Sequence, residues 1–528
     1  MKLIIRKNGN SMIQLWEAYM KITAKYLIVP INLQMQQKTV LLTDGDGRLV
    51  FDFTAHLDAL TPRYFMYMDV GRFKGMDLTV TTDPDTGITF EQTDTRPMDV
   101  YGDYLRPAVH FTAAYGWLND PNGLVYHDGI YHMFFQHNPA GPLWGNMHWG
   151  HAVSRDLIHW EEKDIALFPD EMGTMFSGSA VIDRKNVSGL SPDGNTILLY
   201  YTAAGDHSRL SKGALFTQCL AYSTDGGKTF TKYEKNPVIS HIIGGNRDPK
   251  VIWCEELDAY ILALYLEGRD YALFESDNLL DWSMLQKVVL PEDDECPDFY
   301  PLTADGERKW VFSGASDTYV VGYIDREARR FVIDCESKAY HHGHRTSYAA
   351  QTWSDTGDRR IKIAWEPMSP AGTRYCSQMG VPCEMSLVKR NGSYYLKSLP
   401  VPELGGIVKK TAVFSGSGEA VLSKQAAYDI TVTAPKDAGD FSVSLFGVKF
   451  EAKPAENRFC YAGLEIPLSH TGGDVSVRIL TDTIGVEVFL DGGLIYSTAA
   501  CVLDKNLCTL TVSGDRTETQ AAELENIH

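Results

Sequence analysis

Ser154-Arg155-Asp156-Leu157-Ile158-His159-Trp160 is echoed by Ser276-Asp277-Asn278-Leu279-Leu280-Asp281-Trp282. A third copy, Ser223-Thr224-Asp225-Gly226-Gly227-Lys228-Thr229-Phe230, keeps the serine, the acidic turn and the aromatic. The three serines stand 69 and 53 residues apart. Each copy follows an apolar strand-like run, such as Tyr260 to Leu266, and precedes another. Strand, turn and aromatic recurring at this interval predict propeller blades of four strands each. From near Arg106 to Pro400 there is room for five or six such units, and helical periodicity is scarce.

On either side the texture changes. From about Glu403 short alternating runs recur, among them Tyr428 to Val432, Phe441 to Phe446 and Val486 to Leu490, with Gly and Asp turns between them. That pattern predicts a β-sandwich over 405–528, with Thr517 to His528 helical or frayed. Upstream, Thr39 to Leu42 and Leu49 to Phe53 flank Asp44-Gly45-Asp46-Gly47, a hairpin turn. Arg48 and Val50 fill its later ligand positions, which argues against a calcium loop. Residues 26–100 read as a small β-sandwich with a second turn at Asp83-Pro84-Asp85-Thr86-Gly87 and a linker to Pro97; residues 1–25 read as an extension without a fold of its own. The class expected is all-β throughout.

The 528 residues include 49 basic and 68 acidic ones, a formal charge of −19, which disfavours nucleic acid and anionic membranes as partners. Plentiful Tyr, Phe and Trp suit β-structure and also the apolar faces of sugars. The nine cysteines are scattered, odd in number and form no C-x-x-C pair, as expected of reduced thiols. No signal peptide and no run of about 18 apolar residues is seen, so a cytoplasmic location is the expectation.

Three motifs carry chemistry. Trp117-Leu118-Asn119-Asp120-Pro121-Asn122-Gly123 is rich in turn residues and reads as a rigid loop aiming Asp120. It lies between a strand-like run, Tyr104 to Phe111, and a hairpin around His127-Asp128-Gly129. Asn246-Arg247-Asp248-Pro249 and Glu295-Cys296-Pro297-Asp298-Phe299 likewise put a carboxylate beside a proline at a strand end. In a propeller the inner strand ends line the central channel, so such carboxylates converge. A nucleophile and a proton donor about 5 Å apart are what retaining glycoside hydrolysis requires. His341-His342-Gly343-His344 reads as a solvated loop rather than a metal tract.

Together the three motifs resemble glycoside hydrolase family 32, the invertases, inulinases and levanases. The resemblance covers about residues 104–400 strongly and the following sandwich loosely. It implies a five-bladed propeller over 101–404, and cleavage of terminal β-fructofuranosides with retention through a covalent fructosyl-enzyme. In that reading Asp120 is the nucleophile, Asp248 the transition-state stabiliser and Glu295 the acid/base. Trp117, Asn119, Gln136, Trp144, Phe176, Ser177, Arg247, Cys296 and Trp365 take sugar-contacting positions. The implied substrates are sucrose and inulin- or levan-type fructans, and no metal or organic cofactor is required. An endo-levanase, a fructosyltransferase and, as a rival of another class, a non-catalytic fructan-binding protein remain open on the same scaffold.

Two positions depart from the family pattern. Asp294 replaces the aromatic residue common before Glu-Cys-Pro and is expected to raise the pKa of Glu295. Thr346 replaces an acidic residue two before the tyrosine of Tyr348-Ala349. Residues 27–82 resemble the small N-terminal β-domain of some bacterial fructan hydrolases, for which packing, or a contact in a homo-oligomer, is the only role expected.

Overall fold

The computed structural model describes residues 2–8, 11–98, 103, 105–191, 194–343, 345–369, 372–424, 426–468 and 473–528. Five sheets follow one another through the middle of the chain, each an antiparallel run built outward from an inner strand, with one short parallel pairing, Tyr375–Cys376, added to the inner strand of the first. The inner strands are Gly116–His127, Thr174–Asp183, Arg247–Cys254, Asp298–Ala304 and Tyr348–Thr352. Each touches the next, and the last touches the first, so the sheets close into a propeller. Apolar clusters fill the gaps between successive sheets: Phe134, Trp149 and Tyr201 between the first two, Tyr200, Leu262 and Leu264 between the second and third.

The three repeats occupy one structural position, the turn from third to fourth strand in the first three sheets. Each serine hydroxyl binds the side chain two residues on: Ser154 to Asp156 at 3.1 Å, Ser223 to Asp225 at 2.7 Å, Ser276 to Asn278 at 3.2 Å. That side chain then accepts two backbone N–H groups further along, such as Leu280 and Asp281 on Asn278. The recurring sequence is therefore one recurring Asx-type turn.

The C-terminal sandwich packs two six-stranded sheets over a core containing Ile430, Val432, Phe450, Val477 and Val488. Its last strand, Glu518–Leu524, corrects the helical or frayed reading of the tail. It pairs on one side with Val408–Ser415 and on the other with Ala427–Ala434. Two flanking ladders, and the burial of Thr519, Ala521 and Leu524 between polar neighbours, outweigh the helix-forming composition.

At the N-terminus a five-stranded sheet faces a three-stranded one over Leu27, Val29, Leu42, Phe51 and Met66. Two expectations fail here. The presumed extension contains Lys2–Asn8 and Ser11–Lys21, a hairpin whose second strand pairs with Asp77–Asp83. In the sequence, the pair Gly9-Asn10 between two strand-like runs is a two-residue hairpin signal. The presumed linker contains Glu91–Thr93, paired with Tyr26–Ile28, and Gln92 accepts the Thr23 N–H while donating to the Lys21 carbonyl. The Asp44 turn is a hairpin whose carboxylate accepts the Asp46 and Arg48 N–H groups.

Residues 105–111 form no strand, another correction. Pro107 interrupts the run, and the N–H groups of Ala108, Val109 and His110 instead bind the Asp482 carboxylate of the sandwich at 2.7, 2.9 and 3.2 Å. His341 is buried against the sandwich and meets Thr498 Oγ1 at 3.0 Å, so its tract is packed rather than solvated; His344 lies outside the described residues. All nine cysteines are free thiols. Among the described residues no helix is long and apolar enough to cross a membrane.

Candidate active site

Asn119 and Asp120 lie within a strand, not in a loop. In the pairing of Gly116–His127 with Ile130–Asn138, Leu118 opposes His137 and Pro121 opposes Phe135. Two residues, Asn119 and Asp120, therefore face the single Gln136: a β-bulge, which bends the strand and re-aims its side chains. Proline tolerates such a position because it has no N–H to offer a ladder.

The same device recurs. Ser177 is the extra residue between Phe176 and Gly178, and the register shifts between Arg247 and Lys250 and again between Tyr348 and Gln351. Asp248 (φ 66°) and Ala349 (φ 53°) take the left-handed conformation at these shifts. Glu295 (φ 54°) and Cys296 (φ 35°) take it just before the fourth inner strand. Non-glycine residues held there cost energy and cluster at functional sites. Beneath them Lys250, fully buried, joins three sheets: its Nζ lies 3.1 Å from Asp298 and donates to the Thr352 carbonyl at 2.6 Å.

The bulges empty into one cavity of about 410 Å³. Asp120, Asp248 and Glu295 line it together, with Asn119, Gln136, Trp144, Phe176, Ser177, Arg247, Cys296 and Trp365. Trp117 does not line it but stands behind, donating to Asn119 Oδ1 at 2.6 Å and packing on Trp365 at 5.8 Å between ring centroids. Asn119 in turn donates to Asp120 Oδ1 at 3.0 Å, and Ser177 to Asp120 Oδ2 at 2.7 Å. Cys296 lies between two of the acids, its Sγ 3.7 Å from Asp120 and 3.5 Å from Asp248, and its N–H donates to Asp248 at 3.1 Å. His207, Phe216 and Tyr348 also line the cavity; sequence reading did not single them out as site residues.

The acids are pushed in different directions. Burial raises Asp120 above the usual carboxylate range, against the Ser177 and Asn119 hydrogen bonds. Asp248 is pushed up to about 7, chiefly by burial; Arg247 acts against the rise, and repulsion from Glu295 and Asp120 adds to it. Glu295 is lowered: burial acts upward, but the Tyr348 hydroxyl at 2.6 Å and the Arg247 guanidinium outweigh it. Asp294 therefore does not raise Glu295 as expected; its carboxylate turns toward Arg345, 3.4 Å away. Arg247 also lies over the Tyr265 ring at 4.6 Å.

A cavity holding three carboxylates and one arginine, walled by aromatic rings of which Trp144 is exposed, is suited to stabilising positive charge on a neutral, hydroxyl-rich ligand. The chain matches the model described as "Glycosyl hydrolases family 32 N-terminal domain" over residues 110–398. It is 32% identical over 465 residues to a levanase of Bacillus subtilis, covering 76% of this chain and 67% of that one. It is 36% identical over 289 residues to an invertase of Debaryomyces hansenii, covering 50% of this chain; it spans about half of that relative, 52%. Among solved structures, the exo-inulinase from Aspergillus awamori superposes with a TM-score of 0.73 at 25% identity, over 81% of this chain and 100% of the other.

Proposed function

Since the chain belongs to glycosyl hydrolase family 32, we propose that it is a retaining β-fructofuranosidase, releasing terminal fructose from sucrose or inulin- or levan-type fructans. The observation that carries this reading is the meeting of Asp120, Asp248 and Glu295 in one cavity. Asp120 attacks the anomeric carbon of the bound fructosyl unit while Glu295 protonates the departing oxygen, giving a covalent fructosyl-enzyme. Glu295 then takes a proton from water, which attacks the same carbon, frees fructose and returns Asp120 as a carboxylate.

The proton starts elsewhere. Asp248 is the acid placed to carry it, raised to about 7 by burial and, against Arg247, by its two acidic neighbours. Sugar hydroxyls donating to Asp248 favour its ionised form, and the proton moves to Glu295, where the leaving oxygen can receive it. Asp248 then stabilises the oxocarbenium-like transition state.

The test is product analysis over time for the wild type and Asp120→Asn on sucrose, inulin and levan. Fructose from the earliest points, with turnover reduced by about 10⁴-fold or more in the variant, is the expected result. Oligosaccharides appearing first would replace the reading with endo cleavage or transfer, and absence of any product with simple binding.

A further inference from the structure

We propose that the N-terminal sandwich forms a second sugar-binding cleft, which takes fructosyl units of a fructan chain beyond the one held in the catalytic cavity. This rests on the fructoside reading above. A cleft of about 530 Å³ runs between the N-terminal sheet and the propeller, within the roughly 300–1,000 Å³ usual for ligand sites. Gln37 and Thr39 line its N-terminal side, and neither lines the catalytic cavity. Trp144 and His207 line both spaces, so the two adjoin at these rings. Trp144 is 50% exposed and is held edge-on by Phe176 at 6.0 Å, leaving ring surface for the apolar face of a sugar.

The wall is fixed rather than loosely apposed. Asn146, two residues from Trp144, accepts the Thr54 N–H at 2.8 Å and donates to the Thr54 carbonyl at 2.8 Å. Asp52 accepts the N–H groups of Arg209 and Leu210, each at 2.9 Å, and so holds the loop that carries His207. Cations and anions of the lining are mixed, Arg209 and Lys212 with Asp52 and Asp206, which suits an uncharged polymer better than an ionic ligand.

The experiment compares kcat/KM of the full-length wild type, Thr39→Trp and Gln37→Ala on sucrose and on fructo-oligosaccharides of increasing length. Wild-type kcat/KM is expected to rise with length. Thr39→Trp, which fills the cleft, should lose about tenfold on the longer chains, and Gln37→Ala about threefold, with sucrose turnover within about twofold of wild type. Unchanged sucrose turnover also shows that each variant is folded; Gln37 is exposed, so its replacement leaves the core intact. A wild type indifferent to length, or a Gln37→Ala variant with the wild-type length profile, overturns the inference while leaving the fructoside reading in place. A wild type that cleaves no fructoside overturns that reading and the inference with it.

Discussion

Glu295 is held by two donors, the Tyr348 hydroxyl on Oε2 and the Arg247 guanidinium on Oε1. Both favour its ionised form, whereas the acid role proposed for it requires that it begin protonated. Removing one should therefore move the alkaline limb of the pH profile. For Tyr348→Phe the pKa of Glu295 rises, and the limb of kcat/KM that reports loss of the acid's proton shifts up by about one pH unit. Rate measurements across pH test this; an unmoved limb would exclude Tyr348 from control of the acid. Tyr348 was visible in the sequence only as the tyrosine that follows Thr346 in the family pattern, because nothing local says that its hydroxyl meets a side chain 53 residues earlier. The three acids were legible since each sits in a distinctive proline-containing motif. Asp294 misled because its charge was counted and its partner Arg345, 51 residues away, was not.

At the scale of strands, the acid-proline pairs Asp120-Pro121 and Asp248-Pro249 read as turns because proline and asparagine favour turns. In a closed sheet they mark bulges, where a missing N–H costs nothing and an extra residue is turned into the channel. Ser177 sits in such a bulge with no proline to announce it, and Gly178 follows for a steric reason: a Cβ there would lie 1.9 Å from the Tyr200 carbonyl oxygen. Gly178→Ala should thus push the inner strand from its neighbour and carry Ser177 away from Asp120. The expected outcome is a loss of about 1–3 kcal/mol in unfolding experiments. A fall in kcat should accompany it, larger than that of Ser177→Ala.

Across the whole molecule, the propeller and sandwich are joined by a buried charged group. His110 lies 2.8 Å from Asp482 and 3.5 Å from Glu487, and Glu487 accepts the Val381 N–H at 2.9 Å. Burial alone would deprotonate His110, but these two carboxylates raise it well above its usual value. Burial would likewise raise Asp482, yet His110 and the Ala108 and Val109 amides hold it well below the carboxylate range. The signs differ accordingly. Asp482 contributes stability above its unfolded pKa of about 3.9, lost as pH falls toward the depressed folded value. His110 contributes fully below about 6.5, and loses its share as pH rises through its elevated folded value. Asp482→Asn should lower the unfolding free energy by about 3–5 kcal/mol at mildly acidic pH, measured by chemical denaturation. A change below 1 kcal/mol would mean that the pair does not hold the seam. The two large units were legible in the sequence because turn chemistry and strand alternation are local. This pairing, across 372 residues, was not.

That span also sets an order of assembly. Ala108 to His110 lead into the strand bearing Asp120, and their amides are satisfied only by a residue 374 positions after Ala108. At ribosomal rates of about 5–20 residues per second, the interval between the two is roughly 20–75 s. Over most of that time Gly116 and Trp117 also lack their parallel partners, Tyr375 and Cys376. The strand that carries Asp120 thus emerges early and is anchored late, so the nascent chain has the carboxylate long before it has a catalyst. Translation arrested before Asp482 yields protein in which the segment leading into the first blade lacks the carboxylate that its amides bind.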